Sequence, residues 1–175
     1  MILANFLQET FGGHLPPDLP LTSPNDGPGI YARHAANLEA MVGLVGRDDL
    51  LPLMWTQTWM APIAGAAAPG FVEQTMYAQF YGPETHREMT NLRVGLFYIG
   101  PGLFYPAHVH EAWEIYVRLA GSCEFTLGED QDQRSYDDFL INEPMAVHAM
   151  RAGGAGALFA WIWTGDVNWE SYSFV

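Results

Sequence analysis

The hydrophobic pattern of the chain changes period near residue 70. Ahead of that point Tyr31, His34, Ala35, Leu38, Met41, Val42 and Val45 recur every three or four positions, which predicts an amphipathic helix stopped by Gly46. An apolar run at 2–11 predicts a short helix closed by Gly12 and Gly13, and a proline-rich link then leads to Pro28. Asp48 or Asp49 is placed to cap a third helix through Leu50 and Trp55, with Pro52 in its first turn, before an Ala/Gly/Pro loop at 61–70. Beyond Gly70 the texture turns to short apolar or alternating runs at 72–80, 92–99, 103–110, 113–119, 122–127, 139–141, 146–150, 157–164 and 172–174. These are strand signals, with a polar turn at 128–132, and their number predicts a mainly β sandwich or barrel. One domain is expected, in which 1–70 form a helical extension on the outside of a barrel built from 71–175, or serve a partner subunit.

Composition narrows the partners. Twenty acidic against seven basic residues give a net charge of -13, which repels phosphate backbones and anionic lipids, so neither nucleic acid nor membrane is an expected partner. Cys123 is the lone cysteine, which excludes an intrachain disulfide and suits a small buried hydrophobe in a reducing cytoplasm. The first residues lack the basic start of a secretion signal, and no apolar run reaches membrane-spanning length. The acidic stretch Glu129-Asp130-Gln131-Asp132 reads as a solvated hairpin tip, since nothing in it is spaced for calcium.

The chemistry concentrates between Gly102 and Gly121. His108, His110, Glu114 and Tyr116 stand at even separations, so on a strand they face the same way, and a later His148 sits in an apolar run. Imidazole nitrogens with one carboxylate suit a single divalent transition metal ion, whether Fe, Zn, Mn, Ni or Co. Four such ligands leave coordination positions open, which favours chemistry over a closed structural site. His14, His34 and His86 have no such company and read as structural.

The glycine-bracketed His108-x-His110-x3-Glu114 resembles the first motif of the cupins, and Asp137-x5-Glu143-x4-His148 resembles the second. Asp137 and Glu143 stand at that motif's usual glycine and proline, and Ala152 at its usual asparagine, while the ligand His148 is kept. A narrower resemblance is to the cupin-type dimethylsulfoniopropionate lyases. It is carried by Gly95-Leu96-Phe97-Tyr98, Tyr105-Pro106-Ala107-His108-Val109-His110, Glu114-Ile115-Tyr116, Leu119-Ala120-Gly121, His148-Ala149-Met150 and Trp161-Ile162-Trp163. That resemblance implies a single-domain cupin (a jelly-roll barrel, or double-stranded β-helix) with an N-terminal helical segment. It also implies ligands from His108 or His110, Glu114 and His148, catalytic tyrosines at Tyr116 and Tyr105, and a pocket aromatic at Trp163.

The implied substrate is a small zwitterion, carboxylate at one end and dimethylsulfonium at the other. Its lysis is a β-elimination to dimethyl sulfide and acrylate. Tyr116, two residues from Glu114 on the ligand face, is the expected base, and Tyr105 a second polar contact or alternate base. Aromatic faces attract a sulfonium without being alkylated, which nominates Trp161 and Trp163 on one strand face, then Phe104, Phe159 and Trp113. Arg118 shares the parity of Glu114 and either clamps the substrate carboxylate or pairs elsewhere. An iron-dependent dioxygenase of small organic acids or thiols, or a non-catalytic cupin that binds a zwitterion, uses the same residues. A homodimer is expected from exposed sheet edges and the apolar helix face.

Overall fold

Helix α1 (Pro28–Leu44) follows the predicted spacing: Leu38, Met41 and Val42 are buried along one side. Gly46 follows it at φ 67°, a left-handed conformation that ends helices at little cost only for glycine. A 3-10 turn (Asp48–Leu50) leads into α2 (Leu51–Trp55). Neither aspartate caps this segment, because Arg47 holds both Asp49 oxygens, from Nε at 2.8 Å and Nη2 at 2.9 Å. The computed structural model describes residues 28–55, 57, 59–62, 70–85, 89–128, 132–135 and 139–175. The helix expected at 2–11, the proline-rich link up to residue 27, His14, His86, most of the loop at 61–70, 129–131 and Asp137 lie outside those residues. Among the described residues no helix is long and apolar enough to cross a membrane.

The strand expected from residue 72 begins later, since Phe71–Gln74 forms the short helix α3 and Thr75 Oγ1 closes it by donating to Phe71 O at 2.6 Å. The strands are β1 (Thr75–Tyr81), β2 (Leu92–Ile99), β3 (Phe104–Val109), β4 (Ala112–Leu127), β5 (Asp132–Ser135), β6 (Phe139–Asn142), β7 (His148–Gly165) and β8 (Ser173–Phe174). All their pairings are antiparallel, in the order β1-β2-β7-β3-β8, with β4 alongside β7 and carrying β5 and β6.

Two pairs of predicted strands are each one long strand. Runs 113–119 and 122–127 merge into β4, and 146–150 and 157–164 into β7, and these two pair from Ala112↔Gly165 to Leu127↔His148. The glycines that read as turns are absorbed as register shifts, one of them between Gly121 and Cys123. Gly121 lies at φ 76°, and a Cβ there would meet the Gly156 carbonyl oxygen at 2.1 Å, so only glycine fits.

β2 shows how the sheet places its two cores. Leu96 and Tyr98 pack with Leu38, Met41, Val42 and Met54 under the helices, while Phe97 and Ile99 join Tyr105, Tyr116, Phe125, Phe159, Trp161 and Trp163 on the opposite face. A strand buried on both faces reads as the continuous apolar run seen at 92–99. The apolar side of α1 is therefore covered by the protein's own sheet, and is not a free face for a second copy. The aromatic face of the sheet is where the site forms.

Candidate active site and metal centre

Two strands and a turn, not one pleat, gather the motif. β3 ends at Val109, the chain turns through His110 and Glu111, and β4 restarts at Ala112, so His108 and Glu114 belong to adjacent segments. The β3–β7 ladder sets His108 directly opposite His148. The three candidate ligand nitrogens of His108, His110 and His148 lie within 4.8 Å of one another, and all three side chains and Glu114 are buried.

Backbone carbonyls decide the tautomers. Nδ1 of His108 meets Pro106 O at 2.8 Å, Nδ1 of His148 meets Ala146 O at 2.8 Å, and Nδ1 of His110 meets Ala112 O at 3.1 Å. A carbonyl only accepts, so each Nδ1 carries a hydrogen, and a ring holding that single proton turns a bare Nε2 into the site. Glu114 Oε2 lies 3.3 Å from His110 Nε2 and 3.1 Å from His148 Nε2. The His148 contact is close but off the hydrogen-bond direction, and this nitrogen is buried with no hydrogen-bond partner. In that singly protonated form the imidazole lone pairs and a carboxylate converge with no proton between them. A divalent cation satisfies this donor set, and orienting each imidazole through its other nitrogen is what a metal ligand requires.

Glu114 is itself held rigidly. Trp163 Nε1 donates to Oε1 and Asn142 Nδ2 to Oε2, each at 2.7 Å. Burial works against its ionisation, but in the metal-free protein the hydrogen bonds and positive charge that His110 and His148 bring when they take up a second proton outweigh it and hold the carboxyl well below the usual range. Burial, with the neighbouring His148, pushes His108 down to about 3, so its ring is neutral and able to ligate at neutral pH. A prediction follows for the metal-free protein. Unfolded histidine titrates near 6.5, so the unfolded chain takes up this proton first as pH falls. The stability conferred by the neutral His108 ring is complete above about pH 6.5 and is lost progressively towards about pH 3. Tm measured across that window is expected to fall, with a shallower slope in His108→Gln; equal slopes would contradict it.

A cavity open to solvent adjoins the cluster. Of the predicted residues, His108, Tyr105, Tyr116, Trp161 and Trp163 line it. Tyr105 turns inward because the β3–β7 register shifts between Tyr105 and His108, and its ring stacks on His108 at 4.2 Å. The same shift corrects the expectation for Phe104, which is 40% exposed and covered by the Arg151 guanidinium at 4.8 Å. Arg118 is half-buried and does not line the cavity, whereas the Tyr116 ring two residues before it does and packs on Phe159 at 5.3 Å and Phe125 at 6.2 Å. Trp113 faces outward, 45% exposed, and Phe159 is core. His34 is structural, bonding Glu73 O at 2.9 Å, and Cys123 is buried.

Sequence reasoning missed Asn142, Tyr77, Trp169 and Tyr172. Asn142 sits opposite Glu114 in the β4–β6 ladder. Tyr172 lines the cavity with its hydroxyl 2.8 Å from that of Tyr105. Nothing local marks these positions; the aromatic content of the last residues was the sole available signal.

Residues 33–159, well over half the chain, match the dimethylsulfoniopropionate lyase family. Solved structures described as the DMSP lyases RdDddP and RnDddQII superpose with a TM-score of 0.63 at 24% identity, over 74% of this chain and 67% of that one. DMSP lyase DddQ from Ruegeria pomeroyi DSS-3 superposes at 0.64 and 24% identity, over 75% of this chain and 68% of that one. No curated protein sequence matches the chain. The structural likenesses establish the fold, mainly β and cupin-type with an N-terminal helix. The family match goes further: with its motif histidines and glutamate gathered beside an aromatic cavity, this chain belongs to the dimethylsulfoniopropionate lyase family and is a lyase.

Proposed function

We propose that the protein cleaves dimethylsulfoniopropionate to dimethyl sulfide and acrylate, with one divalent transition metal ion held by His108, His110, Glu114 and His148. The observation that carries this reading is the convergence of bare imidazole nitrogens and an anchored carboxylate on a cavity of phenols and indoles. Neither arginine nor lysine is among its described lining residues, which leaves the histidine cluster, reached through His108, as the place for the substrate carboxylate. When bound there, such an ion supplies a Lewis acid for that carboxylate and positive charge beside the phenols.

The sulfonium end lies against indole and phenol faces, each contact worth about 0.5 to 2 kcal/mol. Trp163 is fixed for this by its bond to Glu114, and Trp161 stacks on Trp169 at 5.8 Å. Tyr116 first loses its own proton to solvent through the open cavity, and the phenolate Oη then takes the α-proton; the C–H electrons form the Cα=Cβ bond, and the Cβ–S pair leaves on sulfur as dimethyl sulfide. Burial, then the Glu114 carboxylate, hold the Tyr116 phenol well above its ordinary range, so a nearby positive charge is needed for it to act. Tyr105, paired to Tyr172, is the second polar contact.

The test is headspace detection of dimethyl sulfide from purified protein reconstituted in parallel with Fe, Mn, Ni, Co and Zn. Release with none of them would sink the proposal. Oxygen uptake in the same vessels would point to the dioxygenase reading, and tight binding of unchanged substrate to a binding cupin. Asn142→Ala, which removes the donor on Glu114 Oε2, is expected to weaken metal affinity about 10- to 100-fold in a chelator competition. Unaltered affinity would show that Asn142 does not orient the ligand. Homodimer formation and a cytoplasmic location belong to the same proposal, the first read directly by light scattering.

A further inference from the structure

The segment after β7 closes one side of the cavity with Trp169 and Tyr172. Tyr172 is held by β8, whose Ser173 and Phe174 pair with Val109 and His108. Trp169 has no strand to hold it and sits in a single 3-10 turn, Trp169–Ser171. Arg93 stands behind it instead. The guanidinium carbon lies 4.4 Å from the centre of the Trp169 ring, and Nε donates to Val167 O at 2.7 Å, two residues earlier in the same segment.

Arg93 is 2% exposed, and its remaining bonds go to Glu84 Oε1 at 2.8 Å, to Gln79 Oε1 at 3.1 Å and to Glu84 Oε2. These bonds offset the cost of burying the charge and leave the guanidinium engaged by protein acceptors, so it is not a clamp for the substrate carboxylate. It does not line the cavity; the ring it covers does. That ring stacks on Trp161 at 5.8 Å and 19°, and lies 4.9 Å from Trp163 and 6.1 Å from Tyr77.

We propose that Arg93 is a positioning residue: by gripping both the Trp169 ring and the Val167 carbonyl, it sets the aromatic wall that binds the substrate's onium group. This rests on the lyase reading above. Removing the grip frees one wall of the onium site and leaves the histidine cluster and tyrosines in place, so binding suffers more than the chemical step.

The metal-loaded full chain and its variants are assayed for KM and kcat with dimethylsulfoniopropionate, and for the exciton-coupled circular dichroism of the stacked Trp161–Trp169 pair. Arg93→Met is expected to raise KM about tenfold, with kcat within about twofold, and to reduce the exciton signal to the level that the Trp161–Trp163 pair, 5.6 Å apart, retains in Trp169→Ala. Trp169→Ala should match it, and the double variant should be no worse than either. Glu84→Gln loosens the same guanidinium from the solvent side without altering a buried position. It should raise KM about threefold and weaken the signal, and it carries the test if Arg93→Met does not fold. KM effects that multiply in the double variant, or an exciton signal that stays at the wild-type level where KM has risen, overturn the proposal. A wild-type protein that releases no sulfide while Arg93→Met still lowers the signal overturns the lyase reading and leaves the positioning role standing.

Discussion

Tyr116→Phe is expected to lower kcat for dimethyl sulfide release by about 10² to 10⁴, the range for removing a general base, with metal content unchanged. The substitution isolates the hydroxyl. The ring packs against Phe159 at 5.3 Å, Phe97 at 6.1 Å and Phe125 at 6.2 Å, and phenylalanine keeps those contacts. Burial and the Glu114 carboxylate keep the phenol protonated at rest, so the variant alters the chemistry and not the resting charge. Tyr105→Phe is the matched comparison, because its hydroxyl also faces the cavity and bonds Tyr172. A Tyr105→Phe protein without activity beside a Tyr116→Phe protein with most of it would transfer the role of base to Tyr105.

The second large effect concerns His148. His148→Ala, or chelation of the intact protein, is expected to abolish sulfide release and to cut bound metal in proportion. The Nε2 of His148 is buried with no hydrogen-bond partner and points at Glu114, while its Nδ1 is held by Ala146. Addition of the preferred ion should raise Tm in the wild-type protein, since ligands that bind only the folded state stabilise it by mass action, and should leave Tm of His148→Ala unmoved. His34→Ala is the control, because that ring bonds Glu73 O, is not part of the cluster and should not affect metal content. Full metal loading of His148→Ala, measured by elemental analysis, would remove His148 from the ligand set.

These tests show how far residue order reaches in this protein. The spacing of His108, His110 and Glu114 pointed to one cluster, and the cluster exists, gathered from two adjacent strands and the turn between them. The even separations were informative within β4 and within β7, where Glu114 and Tyr116, and Trp161 and Trp163, do share a face. They did not carry over to Arg118, and Phe104, nominated as an aromatic face, also lies away from the cavity. At Phe104 a register shift reverses the pleat relative to His108, and Arg118, half-buried, is not among the residues that line the cavity.

Strand β2, helix α1 and the motif were legible because alternation, three-to-four spacing and ligand spacing are properties of near neighbours. Asn142, Arg93, Trp169 and Tyr172 were not, since each reaches the site across a ladder or from a segment distant in sequence. The joining of four predicted strands into β4 and β7 belongs with them, because the glycines between could be read as turns until a partner strand showed them to be register shifts. Periodicity along the chain thus supplied the elements and the chemical type of the ligands. Cross-strand pairing and packing supplied the tautomers, the anchored carboxylate and the aromatic wall, because hydrogen-bond partners and buried neighbours are set by distance in space, which local spacing does not encode.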